Sequence, residues 1–209
     1  MSINIDFYNN NAEELSKQYN SLTFEQVHKN ILHLIPQQGS ILDIGCGSGR
    51  DSFALANKGL AVTAVDPSHS MLNLAKKDFQ HDNICWIEDK LPNLEHVLSL
   101  NKKFDFILLS AVWMHIEKED REEAFKSLTQ LLNKNATMVI YLRHGEFTDG
   151  RKEIEVSSNE IINLSDNQNI ISTPLLQNSK DVLNRAKVSW EIISVQNTPK
   201  RTLRNNLKR

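Results

Sequence analysis

Cysteine is scarce in this 209-residue sequence, and its scarcity excludes two common kinds of site. The two cysteines, Cys46 and Cys85, cannot build a disulfide framework, and neither has a Cys or His partner at metal-ligand spacing. We interpret Cys46 as a small loop residue and Cys85 as a residue that fills a strand. The sequence therefore predicts no metal site.

The sequence also lacks a large excess of charge and a long hydrophobic run. The formal net charge is −2 and apolar residues make up 40% of the chain, so no basic field for nucleic acid or membrane is present. No apolar run approaches the ~18 residues of a membrane span, and residues 1–6 lack the basic and apolar regions of a signal peptide. We expect a cytoplasmic enzyme with one α/β domain.

Glycine is sparse too, but three of the seven glycines, Gly45, Gly47 and Gly49, fall within five positions. Apolar residues precede them and a helix-like run follows, which predicts the strand-to-helix turn where open α/β sheets bind nucleotides. The G-x-G-x-G spacing is one residue shorter than the dinucleotide fingerprint. The next strand ends in Asp66, where a carboxylate would accept hydrogen bonds from ribose hydroxyls. Together these features predict a nucleotide-type cofactor site.

Strands alternate with helices after residue 39, which predicts parallel pairing with right-handed crossovers. Predicted strands are 40–44, 61–65, 83–87, 104–109, 136–142, 170–175 and 188–196. Predicted helices in this part are 50–58, 68–78, 93–100, 118–132 and 158–166. The expected fold is a Rossmann-like, seven-stranded, doubly wound α/β sheet, mostly parallel, with a C-terminal antiparallel hairpin. Residues 1–38 are expected to form a helical cap of the same domain, 39–198 the main domain and 199–209 a basic, flexible tail.

The glycine turn after Asp43, together with Asp66, Asp89 and the strand 104–110, resembles the class I S-adenosylmethionine-dependent methyltransferases. The segments 45–51 and 65–68 are similar to small-molecule and tellurite-resistance-type enzymes of that family. The segments 113–115 and 142–145 resemble an uncharacterised bacterial group within the same fold. The resemblance covers roughly residues 8–145, and it implies S-adenosylmethionine as cofactor, S-adenosylhomocysteine as product and residues 39–198 as the methyltransferase domain.

The resemblance also implies a set of cofactor contacts. Asp43 would favour the ammonium group, Asp66 the ribose hydroxyls and Asp89 the adenine amino group, although a one-residue shift would exchange Asp89 with Glu88. Arg50 is either a partner for the cofactor carboxylate or a surface residue. The full set implied is Asp43, Gly45, Cys46, Gly47, Gly49, Arg50, Asp66, Pro67, Asp89, Lys90 and Ser110.

Candidate acceptor residues lie where this fold places its second substrate. His115 follows the fourth strand by five residues and could take a proton from the acceptor; it could equally be the polar end of a buried segment. A base is needed only if the acceptor arrives protonated. The candidate substrate residues are Tyr8, Tyr19, Trp113, Arg143 and His144. Core packing remains an alternative for Trp113 and Tyr19, and a surface salt bridge for Arg143.

Other functions of this fold class match the sequence less well. The sequence 110–113 is not the Asp/Asn-Pro-Pro-aromatic motif of amino-directed DNA methylation, and neither cysteine follows a proline, as cytosine C5 methylation requires. A nicotinamide-dependent dehydrogenase, an RNA or protein methyltransferase and a non-catalytic S-adenosylmethionine-binding subunit remain as alternatives. The sequence predicts a small-molecule acceptor methylated at O, N, S or a metalloid, with no membrane partner. It leaves monomer or homodimer open.

Overall fold

A computed structural model describes residues 2–183 and 185–200, and the sheet within it has the expected number of strands. The strands are β1 Ser40–Ile44, β2 Ala61–Asp66, β3 Ile84–Glu88, β4 Phe104–Ser110, β5 Leu132–His144, β6 Ile170–Lys180 and β7 Ser189–Pro199. They form one sheet in the order β3-β2-β1-β4-β5-β7-β6. The first five strands pair in parallel, and β7 pairs antiparallel with both β5 and β6. The predicted fold class is therefore confirmed.

Eight α-helices surround this sheet in the part of the chain that the structure describes. They are α1 Ser2–Asn10, α2 Ala12–Asn20, α3 Phe24–His28, α4 Arg50–Asn57, α5 His69–Asp78, α6 Glu95–Ser99, α7 Arg121–Gln130 and α8 Ser158–Asn167. Short 3₁₀ turns cover Leu32–Leu34, Trp113–His115 and Lys118–Asp120. The predicted basic tail lies outside the described residues from 201 onward.

The amino-terminal region is helical, but the apolar run between residues 24 and 35 is not one continuous helix. Thr23 and Gln26 form a reciprocal capping box at the start of α3, and α3 ends at His28. Phe24, Ile31 and Ile35 are nevertheless buried. Apolar residues that repeat about every three to four positions suit α3 followed by a 3₁₀ turn as well as they suit one longer helix.

Two hydrophobic layers cover the two faces of the sheet. Along β4, Phe104, Ile107 and Leu109 pack into one layer, whereas Phe106 and Leu108 pack into the other. Helices α6, α7 and α8 contribute to the first layer, and α3, α4 and α5 contribute to the second. Because both faces are covered, these strands read as continuous apolar runs.

The strand order places the predicted site at the point where the direction of winding reverses. Ile44 at the end of β1 pairs with Val65 of β2 on one side and Leu109 of β4 on the other. The loops after β1, β2 and β4 therefore lie side by side, as expected for ligand sites of open sheets. Among the described residues, no helix has the length and apolar character needed to cross a membrane.

Candidate functional site

A cavity of about 490 Å³ lies above the carboxyl ends of the central strands. Its floor is formed by residues 45–48 after β1, by Asp66 and Pro67 after β2 and by residues 110–112 after β4. Tyr8 and Tyr19 cover it from α1 and α2, and residues of the β6–β7 hairpin form the far wall. The volume is within the range of small-molecule and cofactor sites.

The glycine turn is held against β2 and leaves backbone facing this cavity. The N–H groups of Gly45 and Cys46 both donate to the Val65 carbonyl, at 2.7 and 2.9 Å. Gly47 has a φ of +52° and lines the cavity. Gly49 has a φ of +82°, and a Cβ there would lie 2.7 Å from the Trp86 ring, so this glycine serves helix packing. Gly49 is not part of the cavity lining.

Asp66 lies at the end of β2 with unused hydrogen-bonding capacity. Its Oδ2 accepts from the Gly47 N–H and its Oδ1 from the Ser68 N–H, both at 2.8 Å. Burial raises the pKa of Asp66 to about 6 even though these two bonds oppose the shift. A carboxylate can accept about four hydrogen bonds. The buried Asp66 carboxylate can therefore accept two more donors from a molecule in the cavity.

Asp43 is buried away from the cavity lining. Its Oδ2 accepts a hydrogen bond from the Ser52 hydroxyl on α4 at 2.6 Å. Burial and the nearby Asp51 carboxylate raise the pKa of Asp43. The strand places this side chain toward α4, so any effect on a ligand would act through the glycine turn or through solvent.

Arg50 lines the cavity, but its guanidinium group is largely engaged by the protein. Its Nη1 donates to the Tyr19 carbonyl at 2.9 Å, and its Nε donates to Asp51 at 2.7 Å. The buried His28 contacts Asp51 through Nε2 at 2.8 Å and the Tyr141 hydroxyl through Nδ1 at 2.9 Å. Burial opposes ionisation, yet His28 and Arg50 hold the pKa of Asp51 well below its usual range. This network ties α2, α3, α4 and β5 together beneath the cavity.

His115 belongs to a hydrogen-bond chain whose direction follows from Asn4. The Lys152 N–H donates to Asn4 Oδ1 at 2.9 Å, and Asn4 Nδ2 donates to the Lys152 carbonyl at 2.8 Å. This pairing fixes the amide orientation, so the Nδ2 group that lies 3.0 Å from His115 Nδ1 is a donor. His115 Nδ1 is therefore the acceptor, and Nε2–H donates to the Tyr8 oxygen at 3.1 Å.

This chain makes His115 a weak base. Burial, with a further contribution from the charge of Arg151, lowers the pKa of His115 to about 4. The only ring nitrogen that carries a lone pair, Nδ1, already accepts a hydrogen bond from the Asn4 amide. Tyr8 accepts a second hydrogen bond from Arg151 at 3.1 Å, and burial raises the pKa of the Tyr8 phenol. As arranged here, His115 orients Tyr8 and has no lone pair directed at a ligand.

The segment after β5 closes one side of the cavity through Phe147 and Arg151. Arg151 donates to Tyr8 and Tyr19 and forms an ion pair with Asp149 at 2.6 Å. The guanidinium groups of Arg143 and Arg151 lie 3.9 and 4.1 Å from the centre of the Phe147 ring. His115 stacks on the same ring at 5.6 Å.

The structure brings most of the sequence-predicted residues together in the cavity lining. Six lie outside it: Asp43, described above, and five others. Those in the lining are Gly45, Cys46, Gly47, Arg50, Asp66, Pro67, Ser110, Tyr8, Tyr19, His115 and Arg143. The five others outside it are Gly49, Asp89, Lys90, Trp113 and His144.

The positions of these outlying residues have local causes. The Asp89 carboxylate accepts hydrogen bonds from the N–H groups of Lys90 and Val97, at 2.8 and 3.0 Å, and so caps the start of α6. Trp113 is fully buried and donates to Glu160 at 3.1 Å. His144 Nε2 lies 3.6 Å from Glu191.

Sequence reasoning missed Asn4, Phe147 and Arg151. Asn4 and Arg151 contact residues more than 100 positions away in the chain, so no local pattern signals them. Asp149-Gly150 has the composition of a turn, and that turn directs Arg151 toward Tyr8 and Tyr19. The aromatic residue beside this turn, Phe147, was the one feature of the sequence that could have indicated these contacts.

Comparison with known proteins identifies a family model described as a methyltransferase domain, which matches residues 41–135. An uncharacterized methyltransferase of Staphylococcus carnosus is 24% identical over 162 residues, covering 75% of this chain and 73% of its own. The probable S-adenosyl-L-methionine-dependent methyltransferase TehB of Haemophilus influenzae is 24% identical, covering 62% of this chain and 44% of its own. For two other curated relatives the chain covers 45% and 50% of their length.

Solved structures share the fold at low sequence identity. The 1,6-didemethyltoxoflavin-N1-methyltransferase of Burkholderia thailandensis, solved with 1,6-didemethyltoxoflavin and S-adenosylhomocysteine bound, superimposes with a TM-score of 0.69. The two proteins are 16% identical, and the superposition covers 94% of this chain and 88% of that chain. At this identity the match establishes the shared fold.

Proposed function

We propose that this chain, which belongs to the class I S-adenosylmethionine-dependent methyltransferases, transfers the methyl group of S-adenosylmethionine to a small-molecule acceptor. Methyltransferase chemistry with this cofactor is supported by the family match and the relatives. The acceptor class is our inference. It is supported by the size of the cavity and by the small molecule that the Burkholderia thailandensis enzyme binds.

The observation that carries the proposal is the arrangement of Asp66 and the glycine turn. Asp66 is a buried carboxylate at the end of β2 that keeps two free acceptor positions, which suits the two hydroxyls of a ribose. Gly47 presents backbone to the same space, and a Cβ there would meet other protein atoms only at 3.6 Å or more. These donor and acceptor groups fit the cofactor that the family uses.

We assign the holding of the cofactor to residues 45–48, Asp66, Pro67 and Ser110. Asp43, Asp89 and Lys90 remain predictions from the resemblance, with contacts that lie outside the present lining. When bound, S-adenosylmethionine supplies a methyl group on a sulfonium whose leaving group is a neutral thioether. The protein therefore has no proton to donate to the leaving group.

The protein contributes orientation and exclusion of water. Tyr8 and Tyr19 cover the cavity, and Arg151 holds both hydroxyl groups. We propose that His115 positions Tyr8 and removes no proton from the acceptor. An acceptor that carries an available lone pair, such as a ring nitrogen, thiolate or carboxylate, suits a site of this kind.

The proposal is tested by calorimetric titration of the full chain with S-adenosylhomocysteine, with NAD⁺ as the comparison ligand. We expect saturable binding of S-adenosylhomocysteine and none of NAD⁺. Binding of NAD⁺ alone would overturn the assignment. Release of S-adenosylhomocysteine over a panel of small acceptors then separates an enzyme from a non-catalytic binding subunit, since the latter gives no turnover on any acceptor.

A further inference from the structure

Resting on the proposed function, we propose that the methyl acceptor is an apolar molecule that ends in an anionic group, a carboxylate or a phosphate. It would occupy the far part of the cavity, which we call the acceptor chamber. The chamber is lined by Leu176, Val182, Leu183, Trp190 and Ile192 of the β6–β7 hairpin and by Lys29, Lys180, Arg143 and Arg185.

The chamber is continuous with the methyl-transfer end of the cavity. Ser110 pairs with Tyr141 across β4 and β5, Tyr141 pairs with Ile192 of β7, and Ile192 pairs with Leu176 of β6. Each step between neighbouring strands is about 4.8 Å. The row from Ser110 at the floor to Leu176 in the far wall therefore spans roughly 14 Å, which allows an elongated acceptor with its reactive end near Ser110.

The walls of the chamber explain why the body of the acceptor should be apolar. Leu176 and Trp190 are half-buried, Ile192 is buried, and Val182 is 43% exposed. Val182 is one of only two large hydrophobic residues that are strongly exposed in the described part of the chain, and it faces this cavity. Covering these side chains with an apolar ligand removes their surface from water, which favours binding.

The charges around the chamber are unbalanced. Four cationic residues line it, namely Lys29, Lys180, Arg143 and Arg185, against one carboxylate, Asp181. Glu153, outside the lining, pairs with Arg143 at 3.1 Å and leaves an excess of two positive charges. Lys29 and Lys180 are exposed, so their ammonium groups can move toward a ligand.

Asp181 cannot neutralise the other cations because its acceptor positions are already filled. Its Oδ2 accepts from the N–H and Nε of Arg185, at 3.0 and 2.9 Å. Its Oδ1 accepts from Arg185 Nη2 at 2.7 Å and from the Trp190 indole at 2.9 Å. These four bonds are about the number that a carboxylate can accept. Asp181 thus orients Arg185 and Trp190 rather than offering a site to a cationic ligand.

Arg143 adds positive charge behind the wall of the chamber. Its side chain is 95% buried, and its Nε has no hydrogen-bond partner among the described residues. Burial, together with the charge of Arg185, lowers the pKa of the Arg143 guanidinium. The Arg143 guanidinium stays paired with Glu153, and an anion bound in the chamber would reduce its repulsion with Arg185 through space.

The test compares ligands of the same shape and different charge on the full chain. The probes are 4-phenylbutyrate, its neutral amide and phenethyl phosphate, titrated by calorimetry with and without saturating S-adenosylhomocysteine. We expect at least one of the two anions to bind tenfold or more tightly than the amide. The tighter of the two anions identifies the headgroup. Equal affinities, preference for the amide or no binding of any probe at millimolar concentration would overturn the proposal.

Two variants locate the site. Lys180→Gln should weaken the anionic probe threefold to tenfold and leave the amide unchanged. Lys102→Gln, an exposed lysine at the opposite end of β4, is the matched control and should change neither. An unchanged anion preference in Lys180→Gln would place the anion elsewhere and contradict the proposal. Binding of the anion without any binding of S-adenosylhomocysteine would refute the proposed function and leave the chamber assignment standing.

Discussion

Replacing Asp66 with asparagine is expected to weaken S-adenosylhomocysteine binding and to remove most of its pH dependence. Asparagine keeps the shape of the side chain but has one acceptor oxygen where aspartate has two. The backbone N–H groups of Gly47 and Ser68 already use one acceptor position on each Asp66 oxygen. The substitution therefore removes an acceptor from the ligand and places an amide N–H₂ near a backbone donor.

The size of the effect follows from two quantities. A hydrogen bond to a charged group contributes about 1.5–3 kcal/mol, which corresponds to roughly 10-fold to 150-fold in affinity. The raised pKa of Asp66, about 6, determines the pH range. The carboxylate is about nine-tenths ionised at pH 7 and about one-tenth at pH 5, so affinity should fall about tenfold between them. The sign is fixed because ribose hydroxyls bind the ionised form, which is lost as the pH falls through about 6.

Calorimetric titration at pH 5, 6 and 7 measures both effects in the wild type and in Asp66→Asn. Asp82→Asn, an exposed carboxylate change, is the control for titration of the ligand itself. Buried Asp43 also has a raised pKa, so any pH dependence that persists in Asp66→Asn reports on that group. Unchanged affinity in Asp66→Asn at pH 7 would refute the ribose assignment.

Three further predictions concern packing and protonation. Gly49→Ala should lower the free energy of unfolding, measured with denaturant, by about 3 kcal/mol, and Gly59→Ala should lower it by about 1 kcal/mol. Both glycines have positive φ, but only a Cβ at Gly49 meets neighbouring atoms. Equal losses in the two variants would contradict the packing argument. Arg121→Met should lower the free energy of unfolding by about 3 kcal/mol, since it leaves Glu160 without its buried partner, whereas exposed Lys126→Met should change it little. ¹⁵N NMR spectra should show a neutral His115 imidazole with its proton on Nε2 between pH 7 and pH 5. A titration midpoint near 6.5 would disprove the arrangement in which Asn4 donates a hydrogen bond to His115 Nδ1.

The central part of the fold was predictable because its boundaries are marked locally. β1 and β4 have the predicted bounds to within one residue, since Gly39 and Gly45 flank β1 and the polar residues 101–103 precede β4. β5 is longer than predicted, Leu132–His144 against 136–142. The polar residues 133–135 have the composition of a loop, so the first part of β5 was not predicted. That part nevertheless pairs with β4 at Leu132.

The candidate site was predictable where it is built from one local motif. Residues 45–50 and Asp66 are separated by a single helix and strand, so a sequence pattern can capture them. The arrangement of Asn4, His115 and Arg151 depends on tertiary contacts between segments more than 100 positions apart, and composition does not encode them. Asp89 shows the opposite difficulty, because an acidic residue after a strand can serve equally as a helix cap.

The position of β1 between β2 and β4 also determines when the site can exist during synthesis. Phe104, the first residue of β4, lies 60 positions after Ile44, the last residue of β1. A ribosome that adds about 5–20 residues per second needs roughly 3–12 s to supply β4 after β1. Until then one edge of β1 is unpaired, and such distant pairings form slowly. The complete site therefore exists only after β4 has been synthesised, and ligand binding stabilises that finished state.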